Sequence, residues 1–153
     1  MKLDEKDKKL LFLLQQNSKR TTKELATELN LSVTAVFERI KKYEKQKIID
    51  QYVALVDKEK LDRNFMVFCH VKLIQHKKEY IVQFEKEIMK FPEVMECFHV
   101  SGDYDYILKI CVKDIKEYRE FMVAKITNLE HIASTQSSFT IKEVKNSTAV
   151  FLE

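Results

Sequence analysis

Through the first fifty residues the apolar side chains recur every three or four positions, the spacing of one helix face. Leu3, Leu10, Leu11 and Leu14 form such a stripe, and Asp4 stands where a cap would open a helix running to about Asn17. Thr21 followed three residues later by Glu24 is a capping box. It opens a second helix with Leu25, Ala26 and Leu29 inward, which Asn30 closes as a left-handed C-cap. Ser32 caps a third helix, VTAVFERIKKYEKQK. Its inner face is expected to hold Val33, Val36, Phe37, Ile40 and Tyr43, with Thr34, Glu38, Lys41, Lys42 and Lys45 outside.

Beyond residue 50 the period changes. Residues 48–57 (IIDQYVALVD) read as a short strand or hinge, and KEKLDRN as a polar connection. FMVFCHVKLIQ is then a strand, KKEYIVQFEKEIMKF a helix stopped by Pro92, and VMECFHVS a second strand. GDYD turns directly into the third strand, YILKICV. DIKEYREFMVAKITNL is a helix with Ile115, Tyr118, Phe121, Met122, Ile126 and Leu129 inward, and IASTQSSFTIKEV is the last strand. The fold class is α+β: three helices, then βαββαβ, a ferredoxin-like sandwich with both helices on one face of an antiparallel sheet. The division is 1–50 for the helical domain, 51–64 for the hinge and linker, and 65–153 for the sandwich.

The first long strand is apolar on both faces. Phe65, Val67, Cys69, Val71 and Leu73 line one, and Met66, Phe68, His70 and Ile74 the other. Two helices cover only one side, and a one-sided antiparallel sheet should alternate apolar with polar. The second face is therefore expected to pack on another sheet across a twofold axis, giving a homodimer.

Composition narrows the chemistry. Among 153 residues there is one glycine, Gly102, and one proline, where on the order of ten glycines is typical. Neither GxxxxGK[ST] nor GxGxxG can be written with one glycine, so ordinary phosphate-binding loops are excluded. Lys outnumbers Arg 23 to 4, a coding bias that itself depletes glycine and proline. Cys69, Cys97 and Cys111 are odd in number, lack CxxC spacing and sit in apolar stretches, which suits reduced, buried thiols in a cytoplasm. No apolar run approaches the roughly 18 residues of a membrane span, and the N-terminus lacks the features of a secretory signal. No metal site or cofactor is expected.

Charge points to a partner for the first half only. Residues 1–62 hold 14 Lys/Arg against 11 Asp/Glu, and residues 63–153 hold 13 against 13. Arg39, Lys41, Lys42, Lys45 and Lys47 face Glu44 alone within 39–47. With a three-residue turn and small Ala26 at the helix crossing, this describes a helix-turn-helix for double-stranded DNA, of the winged-helix-like class, a plain helical hairpin being the alternative. Ser32, Thr34 and Ala35 would reach base edges or the thymine methyl, while Arg39 and Lys42 suit phosphates. Glu38 would be repelled by phosphates, and is expected to pair with Arg39 or Lys42. The alternative for it is to accept a hydrogen bond from cytosine N4.

The two halves together resemble the Lrp/AsnC (feast/famine) family of transcription regulators. The likeness is carried by LDEKDKKLLFLLQ, RTTKELATELNLSVTAVFERIKKYEKQKII, the QYVALVDKEKL hinge, GDYDYILKICV and STQSSFTIKEVK. It implies a DNA-binding domain followed by an amino-acid-sensing, RAM-type domain, dimers that often assemble into octamers, and an amino-acid effector bound between dimers. Glycines usual in the family stand here as Lys47, Asp62 and His131, while Gly102-Asp103-Tyr104-Asp105 is retained. A glycine turn presents N–H groups to a carboxylate, and Asp103 and Asp105 could meet an ammonium. Ser134, Thr135, Gln136 and Ser137 offer small polar contacts. A purely structural hairpin turn is the plainer reading of the same residues.

Two other functions compete. His70, His76, His99 and His131 are candidate bases, but His70 and His99 lie in strands and no Ser/His/Asp or Cys/His set can be assembled, so an enzyme is not expected. The alternative to a sequence-specific regulator is an architectural, sequence-tolerant DNA-binding protein without an effector.

Overall fold

Capping sets the limits of the first three helices. The computed structural model describes residues 3–152. Helix α1 spans Glu5–Gln16, with Asp4 and Asp7 in a reciprocal capping box. Helix α2 spans Thr22–Leu29, with Thr21 and Glu24 doing the same. Asn30 then takes φ 52° and ψ 54°, the left-handed geometry that ends a helix in a single residue. Ser32 Oγ accepts from the Ala35 N–H at 3.1 Å and opens α3, Val33–Lys45.

Leu10, Leu25, Leu29, Val36 and Tyr43 are fully buried in the core of these helices. The inward stripe of α3 is narrower than the sequence reading. Val36, Ile40 and Tyr43 point in, whereas Val33 and Phe37 remain 49% and 46% exposed. At 3.6 residues per turn those two lie roughly 50° and 90° off the core direction, and α1 and α2 do not reach around to them. Residues 48–57 form neither strand nor helix, so the strand reading does not hold.

The second unit is an antiparallel sheet with two helices. Strand β1 is Phe65–Leu73, α4 Lys78–Ile88, β2 Val94–His99, β3 Tyr106–Val112, α5 Ile115–Ala124 with a 3₁₀ turn at Ile126–Asn128, and β4 Ile132–Phe139. The strand order is β2-β3-β1-β4, the βαββαβ arrangement expected. In the register, Val67 opposes Ile110 and Phe139, Cys69 opposes Leu108 and Ser137, and Val71 opposes Tyr106 and Thr135. These β1 and β3 residues form the core with Phe84 and Ile88 of α4 and Tyr118 and Phe121 of α5. Ile115, expected inward, begins α5 and stays exposed.

The opposite face of the sheet carries Met66, Phe68 and His70 of β1, Ile107 of β3 and Phe98 of β2. Phe68 is 37% exposed and Phe98 50% exposed. The Lys109–Glu96 ion pair crosses the same face at 2.7 Å. Among the cysteines, Cys69 is buried and Cys111 half-buried; Cys97 is exposed, contrary to the buried reading, because β2 is an edge strand.

Two compact units result. One spans Val56–Glu143, and the other joins the residues up to Leu55 with those from Val144 onward. The C-terminal segment therefore departs from the sequence division, which placed it with the sheet. Gln15 Nε2 donates to the Val150 carbonyl at 3.1 Å, the Val150 N–H donates to Gln15 Oε1 at 2.6 Å, and Leu152 packs on the helical core. The β4 ladder has ended at Phe139, and the helices supply the next apolar surface.

The scarcity of glycine has a backbone counterpart. Asn30, Lys47, Asp62 and His131 are the non-glycine residues at positive φ among the described residues, at 52°, 57°, 53° and 69°. All lie in the left-handed well that a side chain tolerates at modest cost. Gly102 sits at φ 140°, outside that well.

Candidate nucleic-acid interface and small-molecule site

The exposed face of α3 follows from its period. Thr34, Glu38 and Lys42 succeed one another at four-residue steps, with Lys41 and Lys45 alongside, and all five are exposed. Ala35 is half-buried beside the Ser32 cap. Lys41 is occupied: it pairs with Glu44 at 3.0 Å and lies 5.8 Å from the centre of the Phe37 ring. Lys42 and Lys45 have no ion-pair partner among the described residues.

Arg39 behaves differently from the sequence expectation. Its guanidinium turns from the exposed face toward α1, donating to Asp4 Oδ1 at 3.2 Å and Oδ2 at 3.0 Å, and also to Asp7 Oδ1. The Tyr43 hydroxyl donates to the same Asp7 oxygen. Asp7 is only 5% exposed. Burial works to raise its pKa, but the hydrogen bonds from Tyr43 and the Asp4 N–H, with the Arg39 charge, outweigh it and hold the carboxyl below its ordinary value. Asp4 is lowered as well, chiefly by the Asp7 N–H and then by Arg39. Burial, then the bond to Asp7, pushes the Tyr43 phenol up. Arg39 thus ties α3 to the start of α1. Its expected partner Glu38 forms no hydrogen bond or ion pair among the described residues.

The loop at Gly102 is built on Asp105. This carboxylate, 8% exposed, accepts from the Leu73 N–H at 2.7 Å through Oδ2 and meets His76 Nε2 at 2.6 Å through Oδ1. The Asp105 N–H donates to the Val71 carbonyl at 2.9 Å, and the Val100 N–H to the Asp105 carbonyl at 2.8 Å. Both carboxylate oxygens are therefore already used in anchoring the loop to the end of β1. Asp103 is exposed and has no partner among the described residues. A Cβ built on Gly102 would meet no atom within 4 Å, so its φ of 140° is what calls for glycine.

The polar residues of β4 divide between the two faces. Gln136 opposes His70 and Ser134 opposes Lys72, on the face the helices leave bare. The Tyr104 hydroxyl donates to Gln136 Oε1 at 2.5 Å, and the Tyr104 ring lies 5.4 Å from that of His70. Thr135 and Ser137 point to the helix side, where Ser137 Oγ bonds the Tyr118 hydroxyl. Burial pushes that phenol up to about 12. Gly102, Asp103, Tyr104, Ser134 and Gln136 thus share one loop and sheet face, whereas Thr135, Ser137 and the Asp105 carboxylate are committed elsewhere. His70 and His76 were missed at this site; alternation in β1 could have placed His70 on Tyr104's face.

Comparison with known proteins bears on both units. Residues 66–150 match the family model described as the Lrp/AsnC ligand binding domain, and residues 3–50 match the winged helix-turn-helix DNA-binding model. The Bkd operon transcriptional regulator of Pseudomonas aeruginosa is 34% identical over 93% of this chain and 93% of its own length. The leucine-responsive regulatory protein of Haemophilus influenzae is 35% identical over 99% of this chain and 91% of its own length. A transcriptional regulator of Neisseria meningitidis, solved as its L-Met complex, superposes with a TM-score of 0.93 at 31% identity, covering 97% of this chain and 96% of that one.

Proposed function

The chain belongs to the Lrp/AsnC family of transcriptional regulators, and from that premise we propose how its residues divide the work. It is a DNA-binding regulator with a ligand-binding domain, and not an enzyme. Helix α3 enters the major groove, with Ser32, Thr34, Ala35 and Glu38 toward the bases and Lys42 and Lys45 on phosphates. The carrying observation is the exposed Thr34–Glu38–Lys42 line on a helix fixed at both ends, by the Ser32 cap and by the Arg39–Asp4–Asp7–Tyr43 cluster. Arg39 acts by positioning α3.

The effector is an amino acid. Its carboxylate meets backbone N–H groups around Gly102 and its ammonium meets Asp103, while Tyr104, Gln136, Ser134 and His70 line the adjoining sheet face. The L-Met complex of the Neisseria relative supports this class of ligand. The apolar sheet face forms a homodimer, dimers assemble into octamers, and the protein acts on DNA in the cytoplasm.

Lys42→Ala is expected to weaken binding to all duplexes and to lower the salt slope by about one. Thr34 or Ala35 substitutions are expected to change sequence preference instead. Calorimetry against the twenty amino acids with no heat for any would overturn the sensor reading. Equal affinity for a selected site and its scrambled version, with a steep salt slope, would favour an architectural protein.

A further inference from the structure

We propose that Glu38 reads cytosine in the major groove and so fixes one base position of each half-site; this rests on α3 being the reading helix. Three observations combine. Glu38 is exposed and lies midway between Thr34 and Lys42, one turn from each, on the face opposite the buried Val36 and Tyr43. Arg39 beside it is committed to Asp4 and Asp7, and Lys42, one turn on, forms no ion pair with it among the described residues. Lys41, the nearest cation on the other flank, is committed to Glu44. The result is a carboxylate with no partner among the described residues, on the face that also presents the unpaired Lys42 and Lys45.

Such a charge opposes approach to phosphates unless the duplex offers it a donor. Guanine presents only acceptors in the major groove, N7 and O6, and thymine presents O4 and a methyl group. Adenine offers the N6 amine, but its N7 lone pair stands beside it and repels the second carboxylate oxygen. Cytosine offers N4–H₂ with a C–H edge where adenine has N7, so on that side the second carboxylate oxygen meets no lone pair. Glu38 therefore selects by accepting from cytosine N4 and by repelling the three other bases. Lys42 and Lys45, left free, hold the flanking phosphates while it does so.

The test uses the full chain and a random-duplex library, with wild type, Glu38→Gln and Glu38→Ala selected in parallel. Circular dichroism melting confirms that the variants fold. Wild type is expected to enrich a motif with an invariant cytosine in each half-site. Glu38→Ala should lose the preference at that position alone, by roughly tenfold, while the rest of the motif persists. Glu38→Gln should move the preference toward adenine, whose N6 and N7 suit an amide. A wild-type motif that both variants reproduce, with affinity merely raised for all duplexes, overturns the proposal and leaves α3 as the reading helix. A wild-type protein that enriches no motif overturns it together with the reading on which it rests.

Discussion

At the scale of single residues, Arg39 shows how a basic side chain on a DNA-binding helix can serve the fold instead. Its contacts with Asp4 and Asp7 are partly buried. Arg39→Ala leaves the Asp7 carboxylate under-compensated, and should cost about 2–4 kcal/mol in a thermal or urea melt. Tyr43→Phe removes only the hydroxyl donor and should cost about 1–2 kcal/mol. The pH dependence has a defined sign. Asp4 and Asp7 are both held below their ordinary 3.8, so the unfolded chain binds more protons at acid pH. Their stabilisation is fully present above that value and fades as pH falls through the lower folded values. Asp7→Asn should therefore melt earlier at neutral pH and show a flatter acid limb, followed by circular dichroism. An unchanged acid limb would place the cluster's pH sensitivity elsewhere.

At the scale of elements, the turns divide by what their backbone demands. Lys47 at φ 57° carries a side chain in the left-handed well, so Lys47→Gly should stabilise the protein by up to about 1 kcal/mol. Gly102 at φ 140° lies where side chains are strained with or without space, and Gly102→Ala should cost about 1–3 kcal/mol. Melting temperatures of the two variants should move in opposite directions. Helix ends and strand order were legible in the sequence because they depend on local signals: Asp4, Thr21, Ser32 and Asn30 act within a few residues of themselves. The absence of apolar–polar alternation in β1 also foretold that the sheet would have an apolar face beyond its helices. What was not legible depends on neighbours distant in sequence. Nothing near Arg39 announces that Asp4 and Asp7 will take it, and nothing near Asp105 announces the Leu73 N–H. Val33 and Phe37 fit a helical stripe whose width is set by how far α1 and α2 reach. The candidate loop was found from Gly102 and its acidic neighbours, while the division of residues 134–137 between two faces needed the register of β4 against β1.

At the scale of the whole molecule, the proposed dimer rests on the sheet face with Phe68, Ile107 and Phe98. Phe68→Asp should shift sedimentation from dimer toward monomer at micromolar concentration while leaving the melt of the helical unit in place. A wild-type monomer under those conditions would overturn the dimer. The route of the chain also has a consequence for synthesis. The helical core is begun by residues near Leu3 and receives Leu152 only after the whole sheet unit has been made. Translation proceeds at roughly 5–20 residues per second, so the two events are on the order of ten seconds apart. The helical unit therefore gains its last packed side chain only after β4 has been made.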